Sequence, residues 1–146
     1  MAQAASGDQF EIRSGQLALQ RSTNPAVRNL ASLVIADHMR TSRMIAAAAK
    51  SVGIVPPPPS LLPPHQAMLD RLRSSLTFDQ DFEWRQRDAL QQALKLHQNY
   101  ASSGDNRKLR SVAAKAVPII QMHLQQAQFL NTAPPTVPPP PPPPIR

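Results

Sequence analysis

Four histidines and nine carboxylates are the side chains of this chain best suited to acid–base or metal chemistry, and there is no cysteine. Two of the histidines sit where chemistry can be hidden. His38 falls in the run Val27, Leu30, Ala31, Val34, His38, Ile45, and His123 in the run Ala113, Ala116, Ile120, His123, Ala127. Three- and four-residue spacing places both on the apolar stripe of a helix. An imidazole on such a stripe is a satisfied core residue, a polar contact between helices, or a metal ligand. The structural reading is the preferred one. Position 38 lies about 20 Å into its helix and position 123 about 27 Å into another, so antiparallel, staggered helices bring them level. Glu11, on the first helix, completes the candidate metal set His38, His123 and Glu11 for a single transition-metal ion. Asp37 points about 100° away from His38, so it does not easily ligate the same ion and can instead face a neighbouring helix. Glu11, Asp37 or a water are the candidate partners for the buried rings. A carboxylate-bridged di-iron site needs Glu three residues before each histidine, and those positions hold Ile35 and Ile120. His65 stands in a Pro-rich stretch and is expected to be exposed.

Other catalytic templates are missing. The chain has no Gly-rich phosphate loop, no His-Glu-x-x-His and no Gly-x-Ser-x-Gly. Zero cysteine excludes disulfides, Cys-ligated zinc, iron–sulfur clusters and thiol catalysis. The expectation is a protein that is not an enzyme. The net charge of +7 comes from 16 Lys+Arg against 9 Asp+Glu. These cations are spread along the chain, densest at Arg107, Lys108 and Arg110, and Trp84 and Tyr100 are isolated. That pattern reads as solvated helix faces, and no nucleic-acid partner is expected. No apolar run nears the roughly 20 residues of a membrane-spanning helix, so no transmembrane segment is expected.

The elements that position these side chains read as helices throughout. The 146 residues suffice for one domain, and with 41% hydrophobic but only 4% aromatic residues its core must be aliphatic. Ser6-Gly7-Asp8-Gln9 has the form of a capping box, so a first helix is expected over 7–21 with Phe10, Ser14, Leu17 and Ala18 inward. Asn24-Pro25 starts a second helix that stops at Gly53. Pro56 to Pro59 and Pro63-Pro64 form an extended connector. A short helix follows over 64–74. Thr77 caps a third long helix whose stripe is Phe82, Ala89, Leu90, Ala93, Leu96, His97 and Tyr100. Gly104-Asp105 separates it from the last helix, which Pro118 is expected to kink. No segment alternates as a strand does. The fold class is therefore all-α: a four-helix bundle with a short extra helix, the order of helices left open by the long link after Gly53.

Three parts are expected: an N-terminal extension at 1–6, the helical domain at 7–131, and a Pro-rich tail at 132–146, disordered or polyproline II, with seven consecutive prolines from Pro138 to Pro144. Pro141-x-x-Pro144-x-Arg146 formally matches an SH3 ligand but reads better as a spacer. Ala2-Gln3-Ala4 has the small-x-small form of a signal-peptidase site, though no hydrophobic stretch precedes it. It reads equally as the trimmed end of an exported protein or as an ordinary small-residue N-terminus.

A set of short motifs carries a family resemblance. They are Glu11-Ile12 with Gly15-x-Leu17-Ala18, then Asn24-Pro25-x-Val27, Ala36-Asp37-His38, Phe78-Asp79, Ala116-Val117-Pro118 and His123-Leu124. In order and spacing, over about 7–130, they resemble the bacterial family known as domain of unknown function 4142. The resemblance implies a ferritin-like four-helix bundle, commonly exported to the periplasm or the outer membrane, with no established enzyme activity. It favours the trimmed-signal reading and an envelope or stress role. Two positions depart from the family. Leu90 stands where members often carry a third histidine, with His97 seven residues later, and Phe82 stands where Tyr is common.

Overall fold

A computed structural model describes residues 1–130 as five helices, and no strand occurs among them. They are α1 (Ala2–Arg21), α2 (Pro25–Ser51), α3 (Pro63–Arg73), α4 (Phe78–Ser103) and α5 (Arg107–Gln128). The expected tail at 132–146 lies outside the described residues. Local chemistry sets most boundaries. The Asn24 side chain accepts the Ala26 N–H at 2.9 Å, and Pro25 occupies the first helical position. Gly53, at φ 74°, closes α2 in a left-handed turn, with the Ile54 N–H bonded to the Ala49 carbonyl at 2.9 Å. Asn106 caps α5 through the Lys108 and Leu109 N–H groups. Asp105, read as part of that start, instead accepts the Tyr100 hydroxyl at 2.7 Å. Thr77 opens α4 without capping it; its hydroxyl turns to Asp81. The α5 helix runs unbroken through Pro118. The carbonyl that Pro118 leaves without a helical donor belongs to Ala114, which is exposed to water.

The first helix corrects two expectations. It begins at Ala2, so residues 1–6 are helical rather than an extension, and Ser6 is not a cap. Ser6 lies buried inside α1, where its hydroxyl accepts the Leu62 N–H at 2.8 Å and meets His65 Nδ1 at 2.6 Å. A capping motif is a local signal, and here a tertiary use of the same hydroxyl wins. His65 is likewise inside α3, half-buried and stacked on Phe10 at 5.9 Å between ring centroids, rather than exposed in the connector.

Side-chain bonds fix how the helices run. Asp8 in the first half of α1 reaches His38, Thr41 and Ser42 in the middle of α2, while Arg28 near the start of α2 donates to the Leu19 carbonyl near the end of α1, so these two helices are antiparallel. His123 meets Asp37 and Lys108 meets Ser51, so α2 and α5 are antiparallel too. The three-residue link between α4 and α5 makes that pair antiparallel as well. Around the bundle α1 packs on α2, α2 on α5, α5 on α4 and α4 back on α1, with the α1–α2 and α4–α5 contacts the most extensive. The link from α2 to α4, with α3 in it, therefore crosses between helices that are not packed neighbours. Arg21 pins this crossover: its guanidinium donates to the carbonyls of Leu72, Arg73 and Ser75 and lies 4.7 Å over the Phe78 ring. Where α1, α2, α4 and α5 meet at the crossover end, a mainly aliphatic core gathers Ala18, Val27, Leu30, Val34, Leu90 and Ile120 around the rings of Phe78 and Phe82. The polar side chains described next occupy the other half of the bundle.

Close approach of α1 to α2 requires Gly15. A Cβ there would stand 2.9 Å from Ile35 Cγ1 and 3.1 Å from the Ala31 carbonyl oxygen. Alanine gains up to about 1 kcal/mol of helix propensity, but overpacking a tight contact costs about 1–3 kcal/mol. Gly15→Ala is predicted to lower stability by about 1 kcal/mol net, and Gly15→Val by more, both read from urea midpoints at unchanged slope.

Candidate functional site

The bundle half opposite the aliphatic core is polar and buried. Asp8 is 4% exposed, Glu11 2%, His38 2% and His123 0%. Such groups are rarely buried without partners, and Asp8 has three. His38 donates from Nδ1 to Asp8 Oδ1 at 2.8 Å. The Ser42 hydroxyl donates to Oδ2 at 3.0 Å, and the Thr41 hydroxyl lies 3.2 Å from both oxygens. All three donors come from one stretch of α2, so a single carboxylate on α1 sets the register of that helix pair. A second pair links α2 to α5: His123 donates from Nε2 to Asp37 Oδ2 at 3.0 Å. Arg40 holds the other Asp37 oxygen at 2.8 Å from the solvent side. The His38 and His123 rings lie 5.5 Å apart between centroids, tilted by 39°.

The two imidazoles are driven in opposite directions. Burial alone lowers the pKa of His38, but the hydrogen bond to Asp8 and the charges of Glu11, Asp8 and Asp37 outweigh it and raise the value above 6.5. For His123, burial and the neighbouring His38 charge lower the pKa, and Asp37 compensates only in part. The surroundings thus favour the cationic form at His38 and the neutral form at His123. Glu11 is pushed up to about 7 by burial, against the opposing influence of the His38 charge and a hydrogen bond from Gln86. Gln86 also donates to the Ser14 hydroxyl at 3.0 Å, which ties α4 to α1. His97 on α4 is lowered by burial, with Asp8 opposing.

The sequence-derived set His38, His123 and Glu11 is thus gathered in one buried region. His38 Nε2, His123 Nδ1 and Glu11 Oε2 are each buried without a hydrogen-bond partner. Among the described residues, no group of three or more His, Asp or Glu side chains stands where it holds a metal ion in common. Asp37 faces a neighbouring helix, as its angle from His38 allowed. The partner of His38 is Asp8, to which the sequence reading gave no role beyond its place in the Ser6–Gln9 capping motif. The signal for it was periodicity: Asp8, Glu11 and Ser14 recur every three residues beside the Phe10 and Ala18 stripe. Gln86 carried the same signal, four residues after Phe82 and three before Ala89 on the inward stripe of α4.

A family model described as a domain of unknown function, DUF4142, matches residues 1–130. The chain belongs to that family. No curated protein and no solved structure matches it.

Glu11 gives the stability a pH slope of known sign. Its folded pKa, about 7, lies above the ordinary 4.5. The folded state therefore keeps a proton that the unfolded chain has released, and stability from this group falls as pH rises from about 4.5 to 7. Glu11→Gln removes the slope. The variant is predicted to match the parent near pH 4 and to exceed it by about 3 kcal/mol near pH 8, in urea unfolding followed across that range.

Proposed function

We propose that this member of the domain of unknown function 4142 family is a non-enzymatic, exported scaffold of the periplasm or outer membrane, built as a ferritin-like four-helix bundle. The reading gives it an envelope or stress role. Support for the bundle topology comes from the cyclic packing of α1, α2, α5 and α4, with one long crossover between α2 and α4. The observation that carries the scaffold reading is the pairing of each core histidine with a carboxylate from the neighbouring helix. Asp8–His38 joins α1 to α2, and Asp37–His123 joins α2 to α5. Buried pairs of this kind are weak net stabilisers but strong devices for register, because breaking one strands the other charge. Export rests on what the family resemblance implies and is tested by fractionating the native host with an antibody. The scaffold reading expects the protein in the envelope fraction, and recovery in the cytosol alone contradicts it.

A second reading has one observation in its favour. Ligating histidines commonly donate their other N–H to a carboxylate, which orients the ring. His38 and His123 both do so, through Asp8 and Asp37, while the opposite nitrogens and Glu11 Oε2 have no partner. In that reading His38, His123 and Glu11 would hold a single transition-metal ion once their side chains rearrange to meet it.

One experiment separates the two. His38→Ala and His123→Ala are each predicted to cost about 1–3 kcal/mol, the first through a donor lost to the buried Asp8 and both through lost packing, since Asp37 keeps Arg40. On the scaffold reading, added zinc or copper leaves the parent's melting temperature unchanged. A metal-dependent rise that either substitution abolishes establishes the metal reading instead, by linkage of binding to folding.

A further inference from the structure

Cations that are spread along the sequence are gathered by the fold. The antiparallel order brings the ends of α2 and α4 together with the starts of α1 and α5, and Lys108 Nζ marks the meeting, 3.2 Å from Ser51 Oγ. Lys50, Arg107, Lys108 and Arg110 stand at this end of the bundle, with Arg43 and Lys115 about two turns further back on α2 and α5. Among the described residues, no ion pair includes any of them. Over 39–62 and 89–130 the one carboxylate is Asp105, which accepts the Tyr100 hydroxyl. Asp8 and Glu11 lie in the same half but are buried in the polar core. The Met1 α-ammonium, at the start of α1, shares this end and its sign. Near the crossover end the charges are mixed instead, with Asp70, Asp79, Asp81 and Glu83 among Arg71, Arg73, Arg85 and Arg87. Folding does not account for the difference. The first turn of α4 carries Asp79 and Asp81, as the helix dipole favours, whereas α5 opens on Arg107, Lys108 and Arg110 with no acid, against its dipole.

The same end carries an exposed apolar tip. After α2 the chain turns at Gly53 and runs back along the bundle, where Pro56 and Pro57 lie beside Ser42 and Ala46 and Arg13 donates to the Pro59 carbonyl. Ile54 and Val55 stand at the apex of this reversal, 39% and 87% exposed. The bond from the Ile54 N–H to the Ala49 carbonyl fixes the tip on the helix end. An aliphatic tip ringed by cations complements a bilayer surface with anionic headgroups. Cations within about 8 Å of the phosphates feel them at physiological salt, and aliphatic side chains enter the interface below. A single-stranded nucleic acid is met by exposed aromatic rings that stack on bases. Here Tyr100 is tied to Asp105, and Trp84 lies in the other half of α4.

We propose that this end of the bundle docks on an anionic phospholipid bilayer, with Ile54 and Val55 in the interface and Lys50, Arg107, Lys108 and Arg110 on the headgroup phosphates. The bundle then stands end-on, with its crossover end away from the lipid. This goes beyond the scaffold reading, which names no partner, and it is independent of whether a metal binds the core histidines. Vesicle binding and cell fractionation are separate readouts, so the two readings can fail separately.

The test is co-sedimentation of the full chain with vesicles of phosphatidylcholine, either alone or with roughly a third phosphatidylglycerol, at low and at high salt. Binding to the anionic vesicles is expected to be at least about tenfold tighter than to the neutral ones and to be lost at high salt. Arg107→Gln with Lys108→Gln is expected to weaken it roughly 25-fold, because each cation near an anionic surface contributes about a factor of five. Arg71→Gln with Arg73→Gln removes the same charge from the crossover end and is expected to weaken it less than about twofold. Ile54→Ser with Val55→Ser is expected to weaken vesicle binding about tenfold with the charge unchanged. Should that double variant disturb the turn after α2, Val55→Ser alone, at the more exposed position, decides. Equal binding to neutral vesicles, no binding to either, or equal losses from the two charge-removing pairs overturns the proposal. Duplex DNA bound as tightly as the anionic vesicles, with the serine variants indifferent for both, marks a general polyanion site and overturns it too.

Discussion

A carboxylate removed from water must find its donors inside the protein, and Asp8 imposes that requirement on the whole molecule. It is 4% exposed and takes its donors from three residues of α2 within one and a half turns. Sliding α2 by one turn against α1 would strand an ionised group in the interior, at a cost of several kcal/mol. Aliphatic contacts between the same helices tolerate such a slide far better, because Ala, Val and Leu stripes repeat every turn. The polar half of the bundle therefore sets the register, and the apolar half supplies the burial. His38 passes the constraint on. Its ring lies against His123, whose own carboxylate is the neighbour of His38 in sequence, so α5 is placed by the same stretch of α2 that receives Asp8.

The helices were legible because their signals are local. Asn24-Pro25 and Gly53 mark α2 through backbone geometry alone, and three- and four-residue spacing identified the buried faces of α2, α4 and α5. The burial of His38 and His123 followed from the same spacing. What stayed hidden is tertiary. Ser6 and Asp8 have the residue types of a helix start, and nothing near them in sequence shows that their oxygens serve His65 and His38 instead. His65 follows two prolines, which mark a connector but also suit the first turn of a helix. The helix begins at Pro63, and its ring then stacks on Phe10. The order of packing around the bundle was open for a related reason. A long link permits either a neighbouring or a crossing connection, and the choice is made by contacts such as those of Arg21 with the end of α3.

Function is written more faintly than fold in this chain. The family label names a domain without a role, and the charges that reach the core are arranged first for packing. The same arrangement leaves polar atoms at Glu11, His38 and His123 without partners, and a cavity beside them that His97 faces. A core held by polar pairs has this property generally: the groups that specify register retain a second valence. A scaffold and a binding protein can thus share one set of side chains, and relatives can differ in which use they develop.

The central claim is that the surroundings favour the charged form of His38 beside the buried Asp8 and the neutral form of His123, 5.5 Å away. An NMR titration of the imidazole rings tests it directly. The account predicts that His38 titrates above 6.5 with its proton retained on Nδ1, that His123 titrates below 6.5, and that Asp8→Asn removes the rise at His38. A His38 ring that titrates at or below His123, or that is indifferent to Asp8→Asn, would contradict it.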